Sequence, residues 1–503
     1  MWQDLVKVAL LGTENSKLSD RTLQSLQAQG IDVQQEPAAV LAQGAALLAQ
    51  MKKAGFRLET FEGELPKPVE TSGENYLSPK SARHLELMLS GRFEAVLPEF
   101  MALALENKKT LPPESLPNFL NRPKSAELLE KMLPAIGAGG RWLLAQNPAW
   151  QHLVADPAKG GFDWHTGSKT ERLALLRHLR KTDPGRSLEL LQATWQREAA
   201  ADKTDFLDTF WTGLSLQDEP FLEACLDDKR KEVRELAARL LAKIPGSQLS
   251  ERMWRRAAAC FEFDGKNLKI NVVGEGEANA GRDGILPKHP NWQGGAKAVF
   301  LGQVVSLVPP ERWEALFQKS AAEILKIFGQ SDWQQPLLQA IREATLFFKN
   351  ENWLEPLLAI WLESTNPGEF NSTKKQLVEM TPAAMANKLA LKVLQVQPGL
   401  PDANSPVFKL LQFNQNAWHD ELSLLVVNRF QVWLNTNQRH DWQMLYLKDL
   451  LKMAALRSNP DLYDTLQKGW NPHAPTWSFW EKSVEEMLNT ILFRKEMRLE
   501  LER

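Results

Sequence analysis

The stretch from Asp218 to Met253, DEPFLEACLDDKRKEVRELAARLLAKIPGSQLSERM, constrains the fold more than any other part of the chain. It reads as two short helices joined by a tight corner that runs from acidic to basic. In the second helix Val233, Leu236, Ala237, Leu240, Leu241 and Ile244 fall at steps of three and four and make one apolar stripe. Glu232, Glu235, Arg239 and Lys243 take the other side, with Glu235 and Arg239 spaced to pair one turn apart. Pro245-Gly246 stops the helix. A helix pair of this kind keeps an apolar face that only a neighbouring pair can cover, so the stretch predicts a stack.

The same pattern recurs. Thr170 to Arg180 is a helix, Asp183-Pro184 restarts one through Trp195, and Lys203 to Gly213 follows. Helix, short polar corner, helix, at about 35–45 residues per pair, is the mark of an α-solenoid. Upstream, Trp2–Leu11 and Pro37–Gly55 are helical, and Gly137 to Gly140 separates two short helices, Ala126–Ile136 and Arg141–Gln146. Leu268 to Val273 alternates like a strand and runs into a Gly- and Asn-rich stretch, which reads as an insertion or mobile loop with room for a small hairpin. Helices resume at Ala296 and continue to a last one, Trp477–Leu501.

Composition removes several classes. Lys+Arg 60 against Asp+Glu 62 gives a net charge of -2, with no global pull toward nucleic acid or an anionic membrane. Cys225 and Cys260 form neither a metal motif nor a disulfide framework, which fits a reducing compartment. The start, MWQDLVKVALLGTEN, does not read as a targeting segment, and no stretch approaches the roughly 20 apolar residues of a membrane helix. The expectation is a soluble cytoplasmic protein. The 18 tryptophans, Trp313, Trp333, Trp353 and Trp361 among them, are expected as wedges between helices rather than a base-stacking platform.

Motifs of chemistry fall short. Val272-Val273-Gly274-Glu275-Gly276 follows a strand-like run, but Asn279 stands at the third glycine position of a dinucleotide loop, and Glu275 and Glu277 would repel a pyrophosphate. Gly167-Ser168-Lys169-Thr170 lacks the spacing of a phosphate loop and reads as a helix cap. The histidines are scattered, with no pair spaced for zinc on a helix. Asp163 and His165 read as a solvated loop pair, and there is no Gly-x-Ser-x-Gly elbow. No catalytic, cofactor-binding or metal-ligating residue is expected, and no cofactor.

One basic run remains. Lys229, Arg230, Lys231, Arg234, Arg239, Lys243, Arg252, Arg255 and Arg256 could follow a phosphate backbone. Glu223, Asp227, Asp228, Glu232, Glu235 and Glu251 are interleaved with them, so the favoured reading is an ion-paired face. Arg230, Lys231, Arg252, Arg255 and Arg256 are the candidates for an interaction surface.

Pro220, Asp228 and the adjacent Val233-Arg234 resemble the HEAT-repeat pattern, with the proline in the first helix, the aspartate at the corner and Val-Arg opening the second. The resemblance implies that Asp228 and Arg234 belong to a hydrogen-bonded ladder between repeats and are structural. The expected fold is therefore all-α, an α-solenoid of HEAT-like helical hairpins with a small irregular or β-containing insertion. Its parts are an N-terminal helical domain (1–155), HEAT-like repeats (170–263), a Gly-rich insertion loop (264–296) and C-terminal helical repeats (297–503).

A wider resemblance rests on Trp2 with Ala9-Leu10-Leu11-Gly12-Thr13, on Arg172, Leu176, Asp183-Pro184 and Trp195, on Leu226-Asp227-Asp228 through Ile244-Pro245-Gly246-Ser247 to Arg252-Met253, and on Val308-Pro309 with Trp313. These residues resemble an uncharacterised bacterial family carrying a domain of unknown function. Its genes lie beside those for a MoxR-type AAA ATPase, a von Willebrand factor A protein and a SWIM zinc-finger protein. The resemblance implies a non-enzymatic scaffold or adaptor, an accessory subunit of such a chaperone-like system, with the ATPase and the von Willebrand factor A protein as partners. The alternative is a nucleic-acid-binding or HEAT-like DNA glycosylase-type protein that uses the basic 229–256 region.

Overall fold

A computed structural model describes residues 1–55, 67, 69–70, 73–122, 126–147, 150, 164–272, 279–292, 294–364, 370–436 and 444–502. The chain forms two compact units, Met1–Pro68 and Val69–Arg503. In the first, α1 (Trp2–Leu11), α2 (Asp20–Ala28) and α3 (Pro37–Ala54) enclose a small core of Leu5, Leu26, Ile31 and Val40. Ser19 caps the entry to α2 from outside: its N–H and Oγ donate to the Asp4 carboxylate at 2.9 and 2.7 Å. The Ser19 hydroxyl, with Thr22 and the Ser19 N–H, holds that carboxyl down at about 2.

The second unit begins with α4 (Pro79–Leu89), α5 (Leu97–Glu106), α6 (Leu116–Leu120) and α7 (Ala126–Gln146). α7 is two helices meeting at a break at Gly137, where φ is 62° and ψ -164°, as expected of the glycine run between them. Glu74 sits against the break and accepts from the Ala138 N–H at 2.5 Å, and a Cβ on Gly137 would lie 2.5 Å from the same carboxylate. Only glycine fits that backbone.

Next come α8 (Lys169–Thr182), α9 (Pro184–Thr194), α10 (Ala200–Asp208), α11 (Glu219–Cys225), α12 (Lys231–Lys243) and α13 (Gln248–Ala258). Their starts are chemically marked. Ser168 and Glu171 form a capping box, Asp183 accepts from the Arg186 N–H, and Ser247 accepts from the Ser250 N–H. A hairpin follows, β1 (Phe261–Phe263) against β2 (Leu268–Ile270), antiparallel with Glu262 opposite Lys269. Helices α14 (Ala296–Ser306), α15 (Glu311–Phe317), α16 (Ala321–Gly329), α17 (Gln334–Phe348), α18 (Glu351–Glu363) and α19 (Ser372–Met380) come after it. The chain closes with α20 (Ala383–Val396), α21 (Pro406–Phe413), α22 (Asp420–Thr436), α23 (Tyr446–Arg457), the single turn α24 (Tyr463–Leu466) and α25 (Trp477–Leu501).

The all-α class expected from the sequence holds: the described residues are mostly helical and contain one two-stranded sheet. Packing is largely serial. Helix α12 lies against α11 and α13, α13 against α14, α14 against α17, α16 against α18, α18 against α20, and α20 against α22. Two large cores result, and α18 divides between them. Its Trp353 and Leu357 join the core that begins at Trp164, while Leu354, Leu358 and Leu362 join the one that ends at Ile491. A third core joins the first and last segments of this unit: Leu85, Phe100, Phe119 and Ile136 bury Phe493, Met497 and Leu501 of α25. Arg494 and Arg498 donate there to Glu99 at 2.6 and 2.7 Å. This core unites residues on both sides of 155–169, the stretch between the expected N-terminal domain and the expected repeats, most of which lies outside the described residues.

Candidate functional site

The corner between α11 and α12 holds Pro220, Asp228, Val233 and Arg234. Pro220 lies in the first turn of α11 and is exposed, and Val233 is fully buried. Asp228 reaches back to the preceding helix: its carboxylate accepts from Lys203 Nζ of α10 at 2.8 Å and from the Arg230 N–H at 2.9 Å. Partial burial alone would push the Asp228 carboxyl up, but Lys203 and the Arg230 N–H more than offset it, so the carboxyl titrates below its ordinary range. Arg234 stays inside its own corner and donates to the carbonyls of Asp228 and Lys229 at 2.8 and 3.1 Å. Those carbonyls are the corner's acceptors left without a helical partner.

The basic run separates into two populations. Arg230, Lys231 and Arg255 are exposed, and Lys231 reaches only its own helix neighbour Glu235, at 3.5 Å. Arg252 and Arg256 turn inward onto Asp283, which is 1% exposed. Arg252 Nε and Nη2 donate to the two Asp283 oxygens at 3.0 and 2.8 Å, and Arg256 Nη1 donates at 2.6 Å. Arg252 Nη2 also reaches Glu223 at 2.9 Å. Next to Asp283, Arg282 donates to both Asp227 oxygens at 2.8 and 3.1 Å and to Glu223 at 3.2 Å. Arg282 drives the Asp227 carboxyl down, and Asp227 in turn drives the Arg282 guanidinium up. Burial works against the charge on Arg252, yet Asp283 and Glu223 hold it above its ordinary value. Every carboxylate of this cluster accepts from a guanidinium, the arrangement in which buried charges are tolerable.

Asp283 belongs to the segment expected as an insertion. Residues 279–292 are a strap fitted to the helices beneath. Gly284, at φ 82°, crosses α12 so closely that a Cβ would stand 2.8 Å from Ala238. The side-chain amide of Gln303 on α14 mimics a strand partner, accepting from the Leu286 N–H at 2.9 Å and donating to the Leu286 carbonyl at 2.8 Å. Val273 to Ala278, which include the glycines that approximate a dinucleotide loop, lie outside the described residues, as does Asp163. His165 is exposed.

A different kind of place lies between α17, α18 and α19. A groove of about 650 Å³ opens there, where α18 passes from one core to the next. Leu338, Ile360 and Trp361 give it apolar walls, and Gln334, Gln335 and Asn371 line it with amides. Arg342 points into it, half-buried, and donates no hydrogen bond to any described residue. Burial holds its guanidinium below the ordinary value and pushes the adjacent Glu343 carboxyl up. Behind the groove wall, Trp361 stacks on Phe370, which stacks on Phe413.

Glu223 is among the interleaved acids expected to pair with the basic run, whereas Arg282, Asp283 and Arg342 were not singled out by sequence pattern. For Arg342 a signal exists: Leu338, Gln339, Thr345 and Leu346 stand one turn away on either side, so its own helix offers no carboxylate at pairing distance. For Asp283 none does, because its partners come from helices about thirty residues upstream. Trp313 and Trp353 are fully buried, as expected of wedges, with Trp353 Nε1 donating to Glu314 at 2.7 Å. Cys225 and Cys260 are free and buried, and burial pushes the Cys225 thiol up to about 12. Among the described residues no three His, Cys, Asp or Glu side chains are grouped to hold a metal ion, and no helix is long and apolar enough to cross a membrane.

A family model described as a family of unknown function matches residues 4–501. No curated protein and no solved structure matches the chain.

Proposed function

We propose that this chain, which belongs to the family of unknown function DUF5691, is a non-enzymatic scaffold that presents a serial array of HEAT-like helical hairpins to protein partners in the cytoplasm. The partners implied by the resemblance are a MoxR-type AAA ATPase and a von Willebrand factor A protein. The observation that carries this reading is the α17–α19 groove: a broad, open, amide-lined channel on stacked helices, suited to a chain segment more than to a small substrate. Balanced net charge supports protein partners as well.

Capture with the full chain from native cells, with nucleotide hydrolysis blocked, is expected to recover the ATPase or the von Willebrand factor A protein. Recovery of neither contradicts the reading. The alternative, a nucleic-acid-binding or glycosylase-type protein, relies on the 229–256 run. There Arg252 and Arg256 are engaged by Asp283, and Arg230, Lys231 and Arg255 remain. Titration with duplex and single-stranded DNA at low salt separates the two, since phosphate-driven affinity is greatest there.

A further inference from the structure

We propose that the α17–α19 groove binds an extended acidic and hydrophobic peptide segment of a partner protein, with a carboxylate of that segment on Arg342. The proposal rests on the scaffold reading and names the chemistry of the docked segment. Three features of the groove point to it. First, Arg342 is a half-buried cation with no hydrogen-bond acceptor among the described residues, and a planar guanidinium matches a carboxylate bidentately. Second, the side chains of Gln334 and Gln335 make no hydrogen bond to described residues. A side-chain amide both donates and accepts, as a peptide bond does, so these groups suit a backbone laid along the groove. Third, Leu338, Ile360 and Trp361 alternate with those polar groups, and Ile360 is 44% exposed. A volume of about 650 Å³ far exceeds the needs of a single anion. The first turns of α17 and α19 also face the groove through Gln334, Gln335 and Asn371, which adds positive potential at the same place. Lys374 lines the groove as well as Arg342, among both amide and apolar side chains.

The test is a fluorescence anisotropy titration of the full chain at low salt. The probe is a short labelled peptide of alternating leucine and glutamate, and the control replaces glutamate with glutamine. Saturable binding is expected for the acidic peptide, weakened about tenfold or more in Arg342→Gln and for the glutamine control. Ile360→Glu, which sets a carboxylate on the exposed wall, is expected to weaken binding similarly, and it gives the answer if Arg342→Gln does not fold. Absence of binding by the wild-type chain, undiminished binding by both variants, or displacement of the peptide by inorganic phosphate at millimolar concentration overturns the proposal. Capture of the ATPase by a chain that binds no acidic peptide removes the groove and leaves the scaffold. Arg342-dependent peptide binding by a chain that captures neither named partner does the reverse.

Discussion

Arg256 and Arg342 are both half-buried arginines on helices of the same unit, and their surroundings are opposite. Arg256 meets Asp283 at 2.6 Å inside a cluster where Arg252, Arg282, Glu223 and Asp227 satisfy one another. Arg342 lines an open groove and meets no acceptor among the described residues. The sequence already shows acids interleaved with the first and none beside the second one turn away. The run that contains Arg252 and Arg256 is dense in cations, while Arg342 is alone. Density of charge is therefore a poor guide to availability. Dense clusters acquire counter-charges and become structure, and an isolated cation held half out of water with no partner is the one left for a ligand.

The largest expected effect is at the centre of the paired cluster. Asp283→Ala removes the buried carboxylate that Arg252 and Arg256 share, and should destabilise the chain by about 3 kcal/mol in chemical denaturation. A loss under about 1 kcal/mol would mean that the cluster is solvated in solution, and the contrast with Arg342 would weaken. At the corner, Arg234→Ala removes the donor to the Asp228 and Lys229 carbonyls and is expected to cost about 1–2 kcal/mol. A melt indistinguishable from wild type would show those carbonyls to be content with water.

Acid should loosen the same corner. The Asp228 carboxyl titrates below its ordinary range when folded, so its contribution is present above the unfolded value and is lost as pH falls through the folded one. Lys203→Met should therefore give a shallower loss of stability below about pH 4 than wild type. Equal slopes would place the tie elsewhere. The smallest effect is expected at the groove. Arg342→Gln removes a partly desolvated charge that has no partner, so stability should stay within about 0.5 kcal/mol of wild type or rise. A large loss would show that Arg342 is paired after all and would erase the comparison. Lys231→Ala, an exposed pair with Glu235, should match it in size.

What the sequence disclosed follows the range of the forces involved. Trp2–Leu11 and Trp477–Leu501 are read at both ends from local periodicity alone, and Ser168 is read as a cap because its partner, Glu171, is three residues away. The HEAT resemblance implies that Asp228 and Arg234 are structural, and Asp228 pairs with Lys203 rather than with its own corner arginine. The break at Gly137 is legible in the glycine run, but its stabilising partner, Glu74, lies far upstream and is not. The closure of α25 on α5 through Glu99 and Arg494 spans 395 residues and leaves no local trace. The groove has no motif either. Its lining comes from side chains of α17, α18 and α19, which only the packing of three successive helices brings to one place.

The most direct test of this division of labour titrates one preparation of the full chain at low salt with two ligands, the labelled leucine–glutamate peptide and a labelled DNA duplex. The expected result is saturable peptide binding that depends on Arg342, with no duplex binding. Duplex binding that is lost when Arg230 and Arg255 are neutralised, together with peptide binding indifferent to Arg342→Gln, would contradict it.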